Sequence, residues 1–223
     1  MGDATFEDDH IVVNSRYYAT TGAVFWPSPA WDEVVYWALD LETGGLDPRR
    51  DPILAVGMLP VRRGTIRLAE AYTSLVRPEP RETIDPGSIL AHQLVPGDVS
   101  RAPQLGDVLG EVDRRLREGA ILVHMASMDV TFLKRAYKRF GRRWPAPPVV
   151  DTVGLLLKEA KRARFLNPDA PELEPEVNLL AARRAHGLPD YRQHEALIDA
   201  IAAAELFLVL RRKLAARTLR ELR

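Results

Sequence analysis

Val34-Val35-Tyr36-Trp37-Ala38-Leu39-Asp40-Leu41-Glu42-Thr43-Gly44-Gly45-Leu46-Asp47-Pro48 is a nearly unbroken apolar run that closes on two acids and a glycine turn. A strand apolar at successive rather than alternate positions suits the centre of a sheet that is covered on both faces. Side chains alternate along a strand, so Asp40 and Glu42, two apart at its C-terminal end, point to the same side. They can share one cation. The turn that follows uses glycines, which let a phosphodiester backbone come close to the main chain. Taken alone, an Asp-x-Glu before a glycine turn equally fits a polar strand end with an exposed loop.

Working outward, Ile53 to Val61 and Thr65 to Leu68 flank Arg62-Arg63-Gly64 as a hairpin, and Tyr72 to Val76 continues the same meander. After a proline-rich loop, Leu105, Val108, Leu109, Val112 and Leu116 have helical spacing, and Gly119 ends that helix. A short strand, Ala120 to His124, precedes a helix built on Phe132, Leu133, Ala136, Tyr137 and Phe140. Pro145 to Pro148 breaks the chain before the strand Val149-Val150, and Asp151 is a good N-cap for the helix carrying Val153, Leu156, Leu157 and Ala160. Asn178 and Gly187 bracket a short helix. Leu197, Ile201, Ala204 and Leu208 define a long last one. Three antiparallel strands followed by helix, strand, helix, strand and helices predict an α/β fold of the ribonuclease H-like kind. Its sheet is a mixed five-stranded one, three antiparallel strands then two parallel, with helices on both faces.

The patterned domain spans residues 32–212. Residues 1–31 read as an N-terminal extension with short β-like pieces, and 213–223 as a basic helix end or tail. At 223 residues, with 46% hydrophobic and 28% charged, the composition is that of a soluble globular chain with one core. No apolar stretch approaches the roughly 20 residues needed to span a bilayer. The acidic N-terminus has no signal-like apolar stretch, so the expectation is a cytoplasmic protein with no membrane partner. There is no cysteine, which leaves oxygen and imidazole as metal ligands. Lys plus Arg and Asp plus Glu are both 31, so net charge does not announce a nucleic-acid partner, although basic clusters such as Lys161 to Arg164 can track phosphates.

Three further residues complete a constellation. Asp129 lies past the strand ending at His124 and just before the next helix, and the carboxyl ends of parallel strands open onto the ligand crevice. A helix N-cap is the plainer reading of such an aspartate. His194 and Asp199 are five apart, about 140° around a helix, so His194 precedes the last helix and Asp199 sits in its first turns. Four carboxylates and one histidine match the two-cation solution for phosphodiester hydrolysis. Two Mg²⁺ or Mn²⁺ ions roughly 3.5 to 4 Å apart clamp the attacking and leaving oxygens, and a neutral imidazole takes the proton of the attacking water.

Leu39 to Pro48 resembles the first motif of the DEDDh, or DnaQ-like, exonucleases, the family of replicative proofreading subunits and ribonuclease T. His124-Met-Ala-Ser-Met-Asp129-Val-Thr-Phe132-Leu133 is similar to the second motif, and His194-Glu-Ala-Leu-Ile-Asp199-Ala to the third. Val150-Asp151-Thr152 and the stretch from Asn178 to Leu188 look like further landmarks. The resemblance implies a 3′-to-5′ exonuclease that releases nucleoside 5′-monophosphates from 3′ ends of single-stranded or frayed DNA or RNA, DNA favoured. It implies that Asp40, Glu42 and Asp199 bind the catalytic cation, that Asp40 binds the second with Asp129 in its shell, and that His194 is the general base. Thr43, Gly44, Leu46 and His92 are the substrate-side residues it suggests. Three positions depart from the pattern: Met125 stands for Asn, Met128 for Phe and Gly44 for Thr, which bears on substrate positioning and not on the metal ligands. Tyr17, Tyr18, Phe25 and Trp26 in the extension support a competing expectation, a docking subunit with a polymerase partner or a homodimer. A general metal phosphatase is a third.

Overall fold

The structure is a computed structural model that describes residues 28–80, 82, 84–85, 87–88, 96–169, 174–192 and 194–223. The aromatic N-terminal arm and His92, both expected above to matter, lie outside the described residues.

Among the described residues six strands form one sheet: β1 (Tyr36–Thr43), β2 (Ile53–Arg62), β3 (Thr65–Ile66), β4 (Tyr72–Leu75), β5 (Ala120–Val123) and β6 (Val149–Asp151). Their order is β3-β2-β1-β5-β6, with β4 also paired to β2. β1 is antiparallel to β2 and parallel to β5, which is parallel to β6. The expected five strands are five places in the sheet, because β3 and β4 occupy the same outer edge of β2. Pro60 explains the break between them. Its carbonyl accepts from Arg67 N–H at 2.9 Å on that edge, and proline has no N–H to return. Leu68, expected at the end of a strand, therefore starts a 3-10 turn, Leu68–Glu70.

The helices are α1 (Pro96–Arg101), α2 (Leu105–Leu116), α3 (Ala126–Arg139), α4 (Thr152–Leu166), α5 (Leu179–Ala185), α6 (Ala196–Leu214) and α7 (Leu219–Leu222). Alternation along β1 divides the core in two. Tyr36 and Ala38, with Leu59 and Val61 of β2, pack against Ala200, Ala204, Phe207 and Leu210 of α6 and against α4. Trp37, Leu39 and Leu41 pack on the other face against Val108, Leu109 and Val112 of α2 and Phe132, Leu133 and Tyr137 of α3. This double cover is why β1 is apolar throughout. Asp151 and Asn178 cap α4 and α5 as read from sequence, accepting from Val153 N–H and Ala181 N–H. Residues 213–223 do not trail away as a tail. Ala216, Leu219 and Leu222 are buried in the α6 side of the core, and Leu219 N–H donates to Pro29 carbonyl at 3.1 Å. No helix among the described residues is long and apolar enough to cross a membrane.

Candidate active site

Asp40 and Glu42 continue the row begun by Tyr36 and Ala38, so they face α6 at the C-terminal end of β1. Asp40 pairs across the sheet with Gly57 of β2. That glycine decides how near α6 comes: a β-carbon on Gly57 would lie 2.3 Å from the Ala196 carbonyl carbon and the Leu197 nitrogen. The first turn of α6 thus rests directly on the sheet and brings Asp199 to the strand end. One carboxylate oxygen from each of Asp40, Glu42 and Asp199 lies within 4.8 Å of the others. Gly57 was missed in the sequence reading, although a glycine inside an apolar strand is the known signal for a close backbone approach.

The electrostatics of this cluster suit a cation. Burial, and then the Asp129, Glu42 and Asp199 carboxylates, raise Asp40 well above the usual carboxylate range. Burial and Glu42 raise Asp199, opposed by the His194 N–H and by the charges of His194 and Arg183. Three mutually repelling carboxylates at one partly buried point fit a hard divalent cation, whose charge removes the repulsion and whose ligand preference is oxygen.

Asp129 corrects the sequence expectation in one respect. It is not ahead of the helix or at its cap but inside the first turn of α3, and it is 6% exposed. Its Oδ1 accepts from Leu41 N–H at 3.2 Å, so α3 reaches the end of β1 from the face opposite α6. Burial, with lesser contributions from Asp151 and Glu42, pushes its carboxyl up to about 8. It stands outside the group of three converging carboxylates but within reach of the Asp40 and Glu42 charges. The capping task falls to Asp151, which accepts from Met125 N–H at 3.0 Å and Ala126 N–H at 2.9 Å as well as from Val153 N–H. One carboxylate thereby ties the start of α3 to the start of α4. Met125 takes a left-handed conformation at φ 71°, which suits the Asn of the family pattern better than methionine.

His194 precedes α6, as expected, and is exposed. Its backbone is left-handed at φ 66°, and its N–H donates to Asp199 Oδ2 at 2.8 Å. The histidine's backbone is thus tied to the Asp199 carboxylate. In the turn after β1, Thr43 Oγ1 donates to Gly45 carbonyl at 2.7 Å. A β-carbon on Gly44 would meet Pro52 Cδ at 2.7 Å, and one on Gly45 would meet the Asp51 carboxylate at 2.1 Å. These glycines let Pro52 and Asp51 pack close against the main chain of the turn. Leu46, in contrast, is 80% exposed beside the site.

Residues 37–207 match the exonuclease family RNase_T. The chain is similar to the DNA polymerase III subunit epsilon-like protein of Rhodobacter capsulatus, 32% identical over 190 residues that cover 84% of this chain and 25% of that protein. It is also similar to the PolC-type DNA polymerase III of Thermotoga petrophila, 28% identical over 180 residues, 80% of this chain and 12% of that one. The chain spans a quarter or less of the length of these relatives. Among solved structures, E. coli exonuclease I in complex with a dA16 oligonucleotide has TM-score 0.68 at 17% identity, over 82% of this chain and 42% of that one. Cell-death related nuclease 4 has TM-score 0.67 at 14% identity, over 79% and 63%. Both likenesses are of fold. The family match runs from β1 into α6 and takes in Asp40, Glu42, Asp129, His194 and Asp199, and the chain belongs to the exonuclease family in its DEDDh, DnaQ-like branch.

Proposed function

We propose that this domain, residues 32–212 with the C-terminal segment packed on it, is a metal-dependent 3′-to-5′ exonuclease acting on single-stranded or frayed ends, DNA favoured. The observation that carries this reading is the convergence of Asp40, Glu42 and Asp199 within 4.8 Å, with Asp129 buried behind them. Asp40, Glu42 and Asp199 hold the catalytic cation, and Asp40 holds the second with Asp129 in its shell. When bound, two Mg²⁺ or Mn²⁺ ions supply the positive charge that activates water and stabilises the leaving oxygen. His194 accepts the proton of the attacking water, and its backbone N–H on Asp199 Oδ2 keeps the residue beside that carboxylate. Leu46, exposed in the turn after β1, supplies an apolar face for a terminal base, and Thr43, Gly44 and His92 are the other substrate-side residues. The product is a nucleoside 5′-monophosphate.

The test uses single-stranded DNA and RNA of one sequence, labelled at the 5′ end, with Mn²⁺. A ladder shortening from the 3′ end, lost in Asp40→Ala, is the expected result, with DNA cut faster than RNA. Absence of a ladder on both polymers would overturn the reading. The polymerase names of the longer relatives support a second reading, a domain that works beside a polymerase. Co-purification with one, and processivity gained in its presence, would favour it.

A further inference from the structure

Arg183 of α5 is 1% exposed, a costly place for a guanidinium. Its Nη1 donates to the Ala202 carbonyl of α6 at 2.8 Å and its Nη2 to the Pro189 carbonyl at 2.9 Å. The same Nη2 pairs with Glu205 Oε2 at 2.8 Å. The guanidinium carbon lies 4.5 Å from the Tyr191 ring centroid, and Tyr191 OH donates to Glu205 Oε1 at 2.9 Å. Arginine, glutamate and tyrosine thus close a ring of contacts whose members stand on α5, on α6 and on the loop between them.

Burying such a pair contributes little net stability, because apolar groups of the same volume pack at least as well. What a fixed fork of donors supplies is registry. Here the registered pieces are α6, which carries Asp199 three residues before Ala202, and the loop at Pro189 and Tyr191, which leads three residues on to His194. Gly187 and His194 bracket the loop with left-handed backbone, at φ 71° and 66°. Between those bends this cluster ties the loop to α6, Leu188 packs on the core that α6 shares, and Arg184 of α5 holds Asp190 of the loop at 2.6 Å.

We propose that Arg183, Glu205 and Tyr191 form a positioning device that sets His194 against Asp199, and so governs turnover and not substrate affinity. The inference rests on the reading of His194 as the base. It makes Arg183 and Tyr191 positioning residues, acting on the reaction through His194.

The test compares Arg183→Met, Arg183→Lys and Tyr191→Phe in the wild-type and His194→Ala backgrounds, by steady-state digestion of single-stranded DNA with Mn²⁺. Arg183→Met is expected to lose about tenfold in kcat, part of the ~10²–10⁴ that a general base contributes, with KM within about twofold. Arg183→Lys recovers part of the loss, and Tyr191→Phe loses less than Arg183→Met. In the His194→Ala background none of the three lowers kcat further, because residues acting as a unit are non-additive. Equal losses in both backgrounds would mean a merely structural role and overturn the proposal. Hydrogen exchange on the metal-free protein reads the device without turnover: Tyr191→Phe should speed exchange of the His194 amide while the middle of α6 is unchanged. Unchanged exchange there overturns the positioning inference even in an active enzyme, and does so if Arg183→Met fails to fold. A wild type with no nuclease activity overturns the assignment of His194 as base, while the exchange result still decides whether the cluster places it.

Discussion

Replacing Gly57 with alanine adds one carbon 2.3 Å from the Ala196 carbonyl carbon and the Leu197 nitrogen and 2.4 Å from the Ala196 oxygen, all of them backbone atoms. No side-chain rotation relieves such a contact, so the first turn of α6 must retreat by roughly 1 Å to reach ordinary van der Waals separation. Asp199 lies in that turn and moves with it, away from Asp40 and Glu42. Misplacement of about 1 Å at a reacting centre can cost on the order of 10²-fold in rate. Overpacking of this kind costs about 1–3 kcal/mol, which for a chain of this size lowers Tm by roughly 2–4 °C per kcal/mol. The assay is kcat on a labelled oligonucleotide beside Tm by scanning calorimetry and Mn²⁺ affinity by titration. Gly97→Ala is the control, because a β-carbon there meets nothing within 4 Å. Gly57→Ala should lose activity and Mn²⁺ affinity together while Gly97→Ala loses neither. A Gly57→Ala protein with kcat within about threefold of wild type and an unchanged Tm would refute the argument that this glycine sets the height of α6.

Two other outcomes follow from the same site. Asp40, Asp129 and Asp199 all have carboxyls raised above their unfolded values, so without metal their protonated forms favour the folded state. That contribution is complete below about pH 4 and is lost as pH rises through the folded values, to about 8 for Asp129. Tm in EDTA should therefore fall from pH 5 to pH 8, Mg²⁺ or Mn²⁺ should restore more at pH 8 than at pH 5, and Asp40→Asn should flatten the EDTA profile; a flat wild-type profile would contradict this. Met125 at φ 71° holds a conformation that asparagine and glycine adopt more readily, so Met125→Asn should stabilise the protein by about 1 kcal/mol, or ~2–4 °C in Tm. A lower Tm in that variant would show that Met125 packing outweighs its backbone strain.

Much of this protein is legible in its sequence because the signals are local. The doubly apolar β1, the placement of Asp40 and Glu42 on one side, the caps Asp151 and Asn178, and His194 ahead of the last helix all depend on periodicity and capping, which act within a few residues. The sheet topology follows from element order, and the motif spacing points to the family. Tertiary structure decided what depends on approach distances between segments far apart in the chain. Gly57 signals a close approach, but only the fold shows that Ala196, 139 residues later, makes it. Asp129 reads as a cap until Leu41 N–H is found to occupy it and Asp151 is found to cap two helices. Arg183 belongs to no sequence pattern; only the fold surrounds it with Glu205, Tyr191 and Pro189. Sequence pattern determines which residues face the core and which acids stand at a strand end. How closely two faces meet is set by packing, where the absence of one carbon or the burial of one guanidinium fixes the site's geometry.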